Sequence, residues 1–140
     1  MSTLFTKIID GTIPGRFVWR DDEVVAFLTI NPITLGHTLV VPIVEVDHWL
    51  DLPAPLAGRC MAVAQKIGRA QMTAFSPTRI GLIIAGLEVP HTHLHLIPIA
   101  TEADLSFAKA DPSPDPAALD AAADRIRDAL RQLGHLEVAS

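Results

Sequence analysis

The sequence predicts an α+β fold: a five-stranded antiparallel sheet with two main helices and a short N-terminal helix. Two observations carry this. Strand-like runs follow one another as three strands, a long helix and two strands, and strands so close in sequence pair through short antiparallel connections. Two longer stretches repeat their apolar residues every three or four positions, the period of a helix with one buried face. The 140 residues suit one domain with a substantial core. A single domain over 1–140 is expected, with its core at about 3–99 and a link and helix over 100–140.

Thr3 to Asp10 reads as the short helix, closed by Gly11 and kept from continuing by Pro14. Phe17 to Arg20 and Glu23 to Ile30 form a hairpin turned at Asp21-Asp22. Asn31-Pro32 breaks its second strand, Gly36 introduces a third strand from His37 to Val41, and Pro42 ends it. Asp51-Leu52-Pro53-Ala54-Pro55 starts a helix of about five turns, whose Leu56, Cys60, Val63, Ile67 and Ala74 share a face. Ser76-Pro77 ends that helix. Arg79 to Ala85 is the fourth strand, Gly86 to Pro90 a loop, and His91 to Ile97 the fifth strand, stopped by Pro98.

From Thr101 to Asp115 the chain turns polar and proline-rich, an irregular connection. Asp115 as N-cap and Pro116 at the first helical position open the last helix, with Leu119, Ala123, Ile126, Leu130 and Leu133 on its packed face and Gly134 closing it. Arg125, Arg127 and Arg131 alternate there with Asp120, Asp124 and Asp128, a solvated face.

Composition narrows the function classes. Hydrophobic residues at 49% and charged residues at 19% are globular values, and no apolar run approaches the span of a membrane helix. No signal-peptide pattern is visible, so the expected address is cytoplasmic with no membrane partner. A net charge of −5 argues against a nucleic-acid partner, and an anionic ligand must then be held locally. Cys60, the single cysteine, excludes an intrachain disulfide and a cysteine-based zinc cluster, and its helical position points to a buried thiol. His48 and His135, each isolated, read as surface or satisfied core residues.

The chemistry gathers at His91-Thr92-His93-Leu94-His95-Leu96. In an extended strand the three imidazoles share one face and Thr92, Leu94 and Leu96 the other. A purely structural trio needs a partner for every ring nitrogen, which the Ile, Leu and Val around it do not supply. Metal binding is a second reading, because histidines two apart can share an ion. All three cannot do so easily, since His91 and His95 start about 13 Å apart while each nitrogen must come within about 2.1 Å of zinc. The third reading is phosphoryl or nucleotidyl transfer, with one imidazole attacking phosphorus and a neighbour protonating the leaving group. Two charged rings about 6.7 Å apart would repel by roughly 2.5 kcal/mol at an effective dielectric near 20, which favours one neutral and one charged ring near neutrality.

Val89-Pro90-His91-Thr92-His93-Leu94-His95-Leu96-Ile97-Pro98 resembles the signature of the histidine-triad (HIT) family. Leu4-Phe5-Thr6-Lys7-Ile8-Ile9 with Ile13-Pro14, Asp21-Asp22 through Ala26-Phe27, Asn31-Pro32, Gly36-His37 and Val40-Val41-Pro42 resemble the family in order and spacing, so the likeness covers roughly 3–99. The resemblance implies a HIT-like five-stranded sheet, usually in a homodimer, that hydrolyses or transfers nucleoside monophosphates from phosphoramidates, dinucleoside polyphosphates or related anhydrides. It implies no cofactor and no catalytic metal, and a purine nucleotide or nucleotide conjugate as ligand. By match to the motif His93 is the nucleophile of a covalent nucleotidyl intermediate, His95 contacts phosphate and helps the leaving group, and His91 and His37 orient the site. The base pocket falls on Leu4, Phe5, Phe27, Leu28 and Ile30, an apolar set that suits a purine.

The departures concern the substrate. Thr29 stands where relatives commonly carry a ribose-binding aspartate, a neutral hydroxyl in place of a charged bidentate acceptor. Leu87-Glu88 replaces a glutamine and a small polar residue beside phosphate, and no asparagine occurs within Ile80 to Ala85, on a shortened loop. Thr3 and Thr6 occupy the positions of a cysteine pair that binds structural zinc in some relatives. Two alternatives to the enzyme follow: a binding or interaction module that kept the strand without efficient catalysis, and a metal-binding protein using two of the three histidines.

Overall fold

Strands β1 (Phe17–Arg20), β2 (Val24–Leu28), β3 (Thr38–Pro42), β4 (Arg79–Ile83) and β5 (Leu94–Ile99) form one antiparallel sheet in the order β1-β2-β3-β5-β4. The structure is a computed structural model that describes residues 2–140. Helices α1 (Leu4–Ile9), α2 (Ala54–Phe75) and α3 (Pro116–Gln132) complete the expected α+β set. None is long and apolar enough to cross a membrane.

The β1–β2 turn is held by one carboxylate. Asp21 accepts from the backbone N–H groups of Glu23 and Val24 with one oxygen and from Trp19 Nε1 and the Arg59 guanidinium with the other. Beyond it β2 alternates strictly. Val24, Ala26 and Leu28 face α2 and α3, while Val25 and Phe27 face α1. Both faces of β2 and β3 are therefore buried, although the sheet is antiparallel.

Helix α2 buries Leu56, Cys60, Val63 and Ile67, four of the five residues expected on its inner face, with Ala74 packed at the margin. Burial pushes the Cys60 thiol up to about 11, so it stays protonated and inert. In α3 the expected apolar face is buried as far as Leu130, whereas Leu133 is the C-cap and half exposed. The two isolated histidines are structural: His48 caps a 3-10 turn at Trp49–Asp51, and the His135 ring lies edge-on to Trp19.

Strand limits differ from expectation in several places, β2 ending at Leu28 and not Ile30, β3 running from Thr38 through Pro42, and β4 ending at Ile83 and not Ala85, and both limits of β5 differ for reasons that shape the site. Strand β5 starts at Leu94 and not at His91, because β3 pairing runs out at Val40↔Leu94. The preceding residues bond elsewhere: Thr92 donates both its N–H and its hydroxyl to Val46 O. The strand also runs through Pro98, which pairs with Ile80 on the β4 side and lies past the last β3 partner at Leu96, where no donor is required.

Candidate active site

Four imidazoles meet on the α1 side of the sheet. His95 lies in β5 opposite Leu39 and Ile83, and His37 ends the turn into β3. The His93 and His95 ring centroids are 4.8 Å apart, and those of His37 and His95 are 5.2 Å apart. Phe5 of α1 closes the other side, edge-on to His93 at 4.8 Å and to His91 at 6.0 Å.

Hydrogen bonds assign the protons. A carbonyl only accepts, so His93, whose Nδ1 lies 2.7 Å from His91 O, carries its proton there and leaves Nε2 with a lone pair. His37 Nδ1 accepts from the Ile33 N–H, so its proton sits on Nε2 and is donated to His95 Nδ1 at 3.0 Å. His95 is thereby fixed with its own proton on Nε2. His91 donates from Nε2 to Pro42 O at 2.7 Å. Among the described residues nothing hydrogen-bonds to Nε2 of His93 or of His95, although His93 is only 5% exposed. The site thus presents one free lone pair and, on the adjacent ring, one free N–H.

Electrostatics keep three of these rings, His37, His93 and His95, neutral in the empty site. Burial, and then the neighbouring imidazoles, lowers His37 to about 4 and His95 to about 3 from the ordinary 6.5. Burial also lowers His93, against the hydrogen bond to His91 O and the charge of Glu88, which raise it. The single imidazolium expected from repulsion alone is therefore replaced by a neutral set. Folding stability follows with a definite sign. A ring held below its unfolded value binds fewer protons when folded, so its contribution is complete above about 6.5 and is lost as pH falls toward about 4. His37 alone accounts for roughly 3 kcal/mol across that window. Urea unfolding between pH 7 and 4.5 should show the decline, with a smaller one in His37→Gln; a flat profile over that range would refute the neutral assignment.

A cavity of about 240 Å³ adjoins His93, with Asp47, His48 and Trp49 on one wall and Gly86 and Leu87 on the other. It suits a substituent and not a whole nucleotide. Of the residues expected to hold a base, Phe5 and Phe27 are buried with ring centroids 5.5 Å apart, Phe5 against His93, and Leu4 and Ile30 are exposed. Leu28 instead packs in the core against α2 and α3, on the far face of the sheet. Thr29 accepts weakly from the Asn31 N–H, and Glu88 is exposed in the loop before His91. Two contributors were not anticipated, Trp49 and Phe107. The Phe107 ring lies 4.9 Å from His95, carried by a 3-10 turn at Phe107–Lys109 in a link that Asn31 and Pro32 tie down at Asp111.

The HIT domain family model matches residues 10–102. The purine nucleoside phosphoramidase of Escherichia coli K12 is 35% identical over 101 residues, covering 68% of this chain and 85% of its own length. Protein hit of Bacillus subtilis is 37% identical over 100 residues, covering 68% and 69%. Among solved structures, a zinc-bound histidine triad family protein from Mycobacterium smegmatis aligns with a TM-score of 0.82 at 30% identity, covering 95% of this chain and 96% of that one. A hypothetical histidine triad nucleotide-binding protein from Sulfolobus tokodaii gives 0.82 at 25% identity, covering 92% of each.

Zinc in one of these relatives invites a test of fit here. The donors at the cysteine-pair positions are the Thr3 and Thr6 hydroxyls, already engaged by His91 and Glu45, and neutral hydroxyls are poor zinc ligands beside thiolate. Among the described residues no three His, Cys, Asp or Glu side chains converge as a metal-binding group. The donor set does not fit zinc.

Proposed function

This chain belongs to the histidine-triad (HIT) family, and from that premise we propose that it is a nucleotide-binding hydrolase or nucleotidyl transferase that cleaves nucleoside phosphoramidates through a covalent intermediate on His93. The observation that carries the proposal is the buried His93 Nε2 lone pair, aimed by the Nδ1–H bond to His91 O and flanked by the His95 N–H. In the first step Nε2 bonds to phosphorus and the bond from phosphorus to the leaving amine breaks. The anionic phosphoryl group offsets the desolvation that keeps His37 and His95 neutral, so the pair takes up one proton from solvent on substrate binding. His95 passes its Nε2 proton to the departing nitrogen and is left with an Nε2 lone pair, while the proton taken up stays on the His37–His95 pair. The positive charge on the phosphorylated His93 ring is stabilised by the His91 carbonyl. Water then attacks phosphorus and gives a proton to His95 Nε2 as the His93 Nε2–P bond breaks; the monophosphate leaves, and the His37–His95 pair releases its extra proton to solvent and regains its resting tautomers. A second nucleotide or an alcohol in place of water gives transfer.

Dinucleoside polyphosphates are the second substrate class of the family resemblance, and Glu88 disfavours them. Its negative charge is felt at His93, which it raises, and a polyphosphate leaving group would carry further negative charge there. Thr29 affects the other end, because a hydroxyl there cannot grip a ribose diol as a carboxylate does. A homodimer belongs to the same proposal, supported by the outer edge of β4, which no described strand covers and where Leu82 is exposed.

Incubation with an adenosine phosphoramidate and its 2′,3′-dideoxy counterpart tests the reading. Both should release monophosphate at similar kcat/KM, and diadenosine polyphosphate should react more slowly. Tight monophosphate binding in calorimetry without turnover of any of these substrates would favour the binding-module alternative.

A further inference from the structure

Glu45, an exposed residue outside every motif considered above, receives two hydrogen bonds from the start of α1. Its Oε1 accepts from the Thr3 N–H at 2.7 Å and from the Thr6 hydroxyl at 2.7 Å. With the Thr6 hydrogen committed to the carboxylate, Thr3 Oγ1 accepts the Thr6 N–H and offers its own hydrogen to His91 Nδ1, 3.0 Å away. The opposite nitrogen of His91 is fixed on Pro42 O, and the His91 carbonyl receives the Nδ1–H of His93. An unbroken chain therefore runs from Glu45 through Thr6 and Thr3 to His91, and from His91 to the lone pair of His93.

We infer that Glu45 is a positioning residue for this site: acting through Thr3 and Thr6 it clamps α1 against His91, and so fixes the ring and carbonyl that aim His93. Three physical points favour it over an incidental surface contact. A helix of six residues is too short to persist by its own propensity, so α1 depends on anchors. The same helix carries Phe5, the wall of the site against His93, so any loosening of α1 reaches the reacting ring. And Glu45 is connected to the start of the chain across more than forty residues, from the segment after β3 that also provides Val46 O for Thr92. The clamp is made of hydrogen bonds alone.

The inference rests on His93 as the nucleophile, and its test has an arm independent of turnover. In Glu45→Ala, kcat for the adenosine phosphoramidate should fall about tenfold, as small misplacements of a reacting group do. Glu45→Gln keeps the acceptor oxygen and should stay within about twofold of wild type. Thr3→Val should reproduce the alanine effect; Glu45→Gln should melt near the wild-type temperature, and Glu45→Ala and Thr3→Val, which loosen or uncap α1, a few degrees lower while still folded at the assay temperature. In ¹⁵N spectra of the imidazoles, all variants should show His91 protonated at Nε2, which Pro42 O holds, while the Nδ1 resonance should stay at the wild-type position in Glu45→Gln and move downfield in Glu45→Ala and Thr3→Val as the Thr3 hydrogen bond is loosened or lost. Unchanged kcat together with an unchanged His91 spectrum in Glu45→Ala would overturn the inference, as would equal losses in Glu45→Ala and Glu45→Gln. If wild-type protein turns over no phosphoramidate, the proposed function fails and the His91 spectra alone decide for or against the clamp.

Discussion

Replacing His93 by asparagine is expected to abolish phosphoramidate turnover while leaving the fold intact, with kcat falling by about 10⁴-fold or more, as when a covalent nucleophile is removed. Asparagine is the informative choice. Its amide N–H can take the place of Nδ1–H and keep His91 O paired, so a buried carbonyl is not orphaned and the loss isolates Nε2. Wild-type protein quenched during turnover should carry an adduct of one nucleoside monophosphate, and the variant none. More than about a hundredth of the wild-type rate in the variant would place the nucleophile elsewhere or remove the covalent step.

The alternation of the triad was legible from the sequence because period two survives outside a ladder: Leu94 and Leu96 lie in the core while the imidazoles gather opposite. The start of β5 was not, because what replaces its partner is Val46, brought in from beyond β3. Protonation was misjudged for a related reason. Spacing along one strand gives the repulsion between rings, but the burial that outweighs it comes from Phe5, Phe107 and the sheet together. Leu28 shows the limit of carrying a pocket over by likeness. Phe27 and Leu28 are adjacent in a strand, so only one of them can face the histidines. Phe107 and Trp49 gave no periodic signal, each standing in an irregular segment whose place depends on contacts distant in the chain.

Gly36→Ala is expected to lower stability by about 2 to 4 kcal/mol, from left-handed strain and overpacking together. Gly36 has φ +90°, where a side chain is strained, and an added Cβ would meet the Phe75 ring at 2.3 Å and 2.8 Å. That ring cannot retreat freely: it ends α2 and is covered by the Arg125 guanidinium at 4.7 Å, which also bonds Ala74 O. The Gly36 carbonyl is in addition the shared acceptor of Thr38 Oγ1 and the buried Gln71 amide, which also reaches Leu96 O and so joins α2 to β3 and β5. A shift of this peptide displaces the next residue, His37, whose Nε2–H fixes the tautomer of His95. Stability and catalysis should therefore fall together, unlike in the His93 variant. Chemical denaturation of Gly36→Ala in wild-type and Phe75→Ala backgrounds separates the two causes, because removing the ring relieves the overlap and leaves the backbone strain. The cost should shrink by about 1 to 2 kcal/mol in the second background. An alanine variant within about 0.5 kcal/mol of wild type would mean that the turn into β3 relaxes without cost, and that the register of His37 does not depend on it.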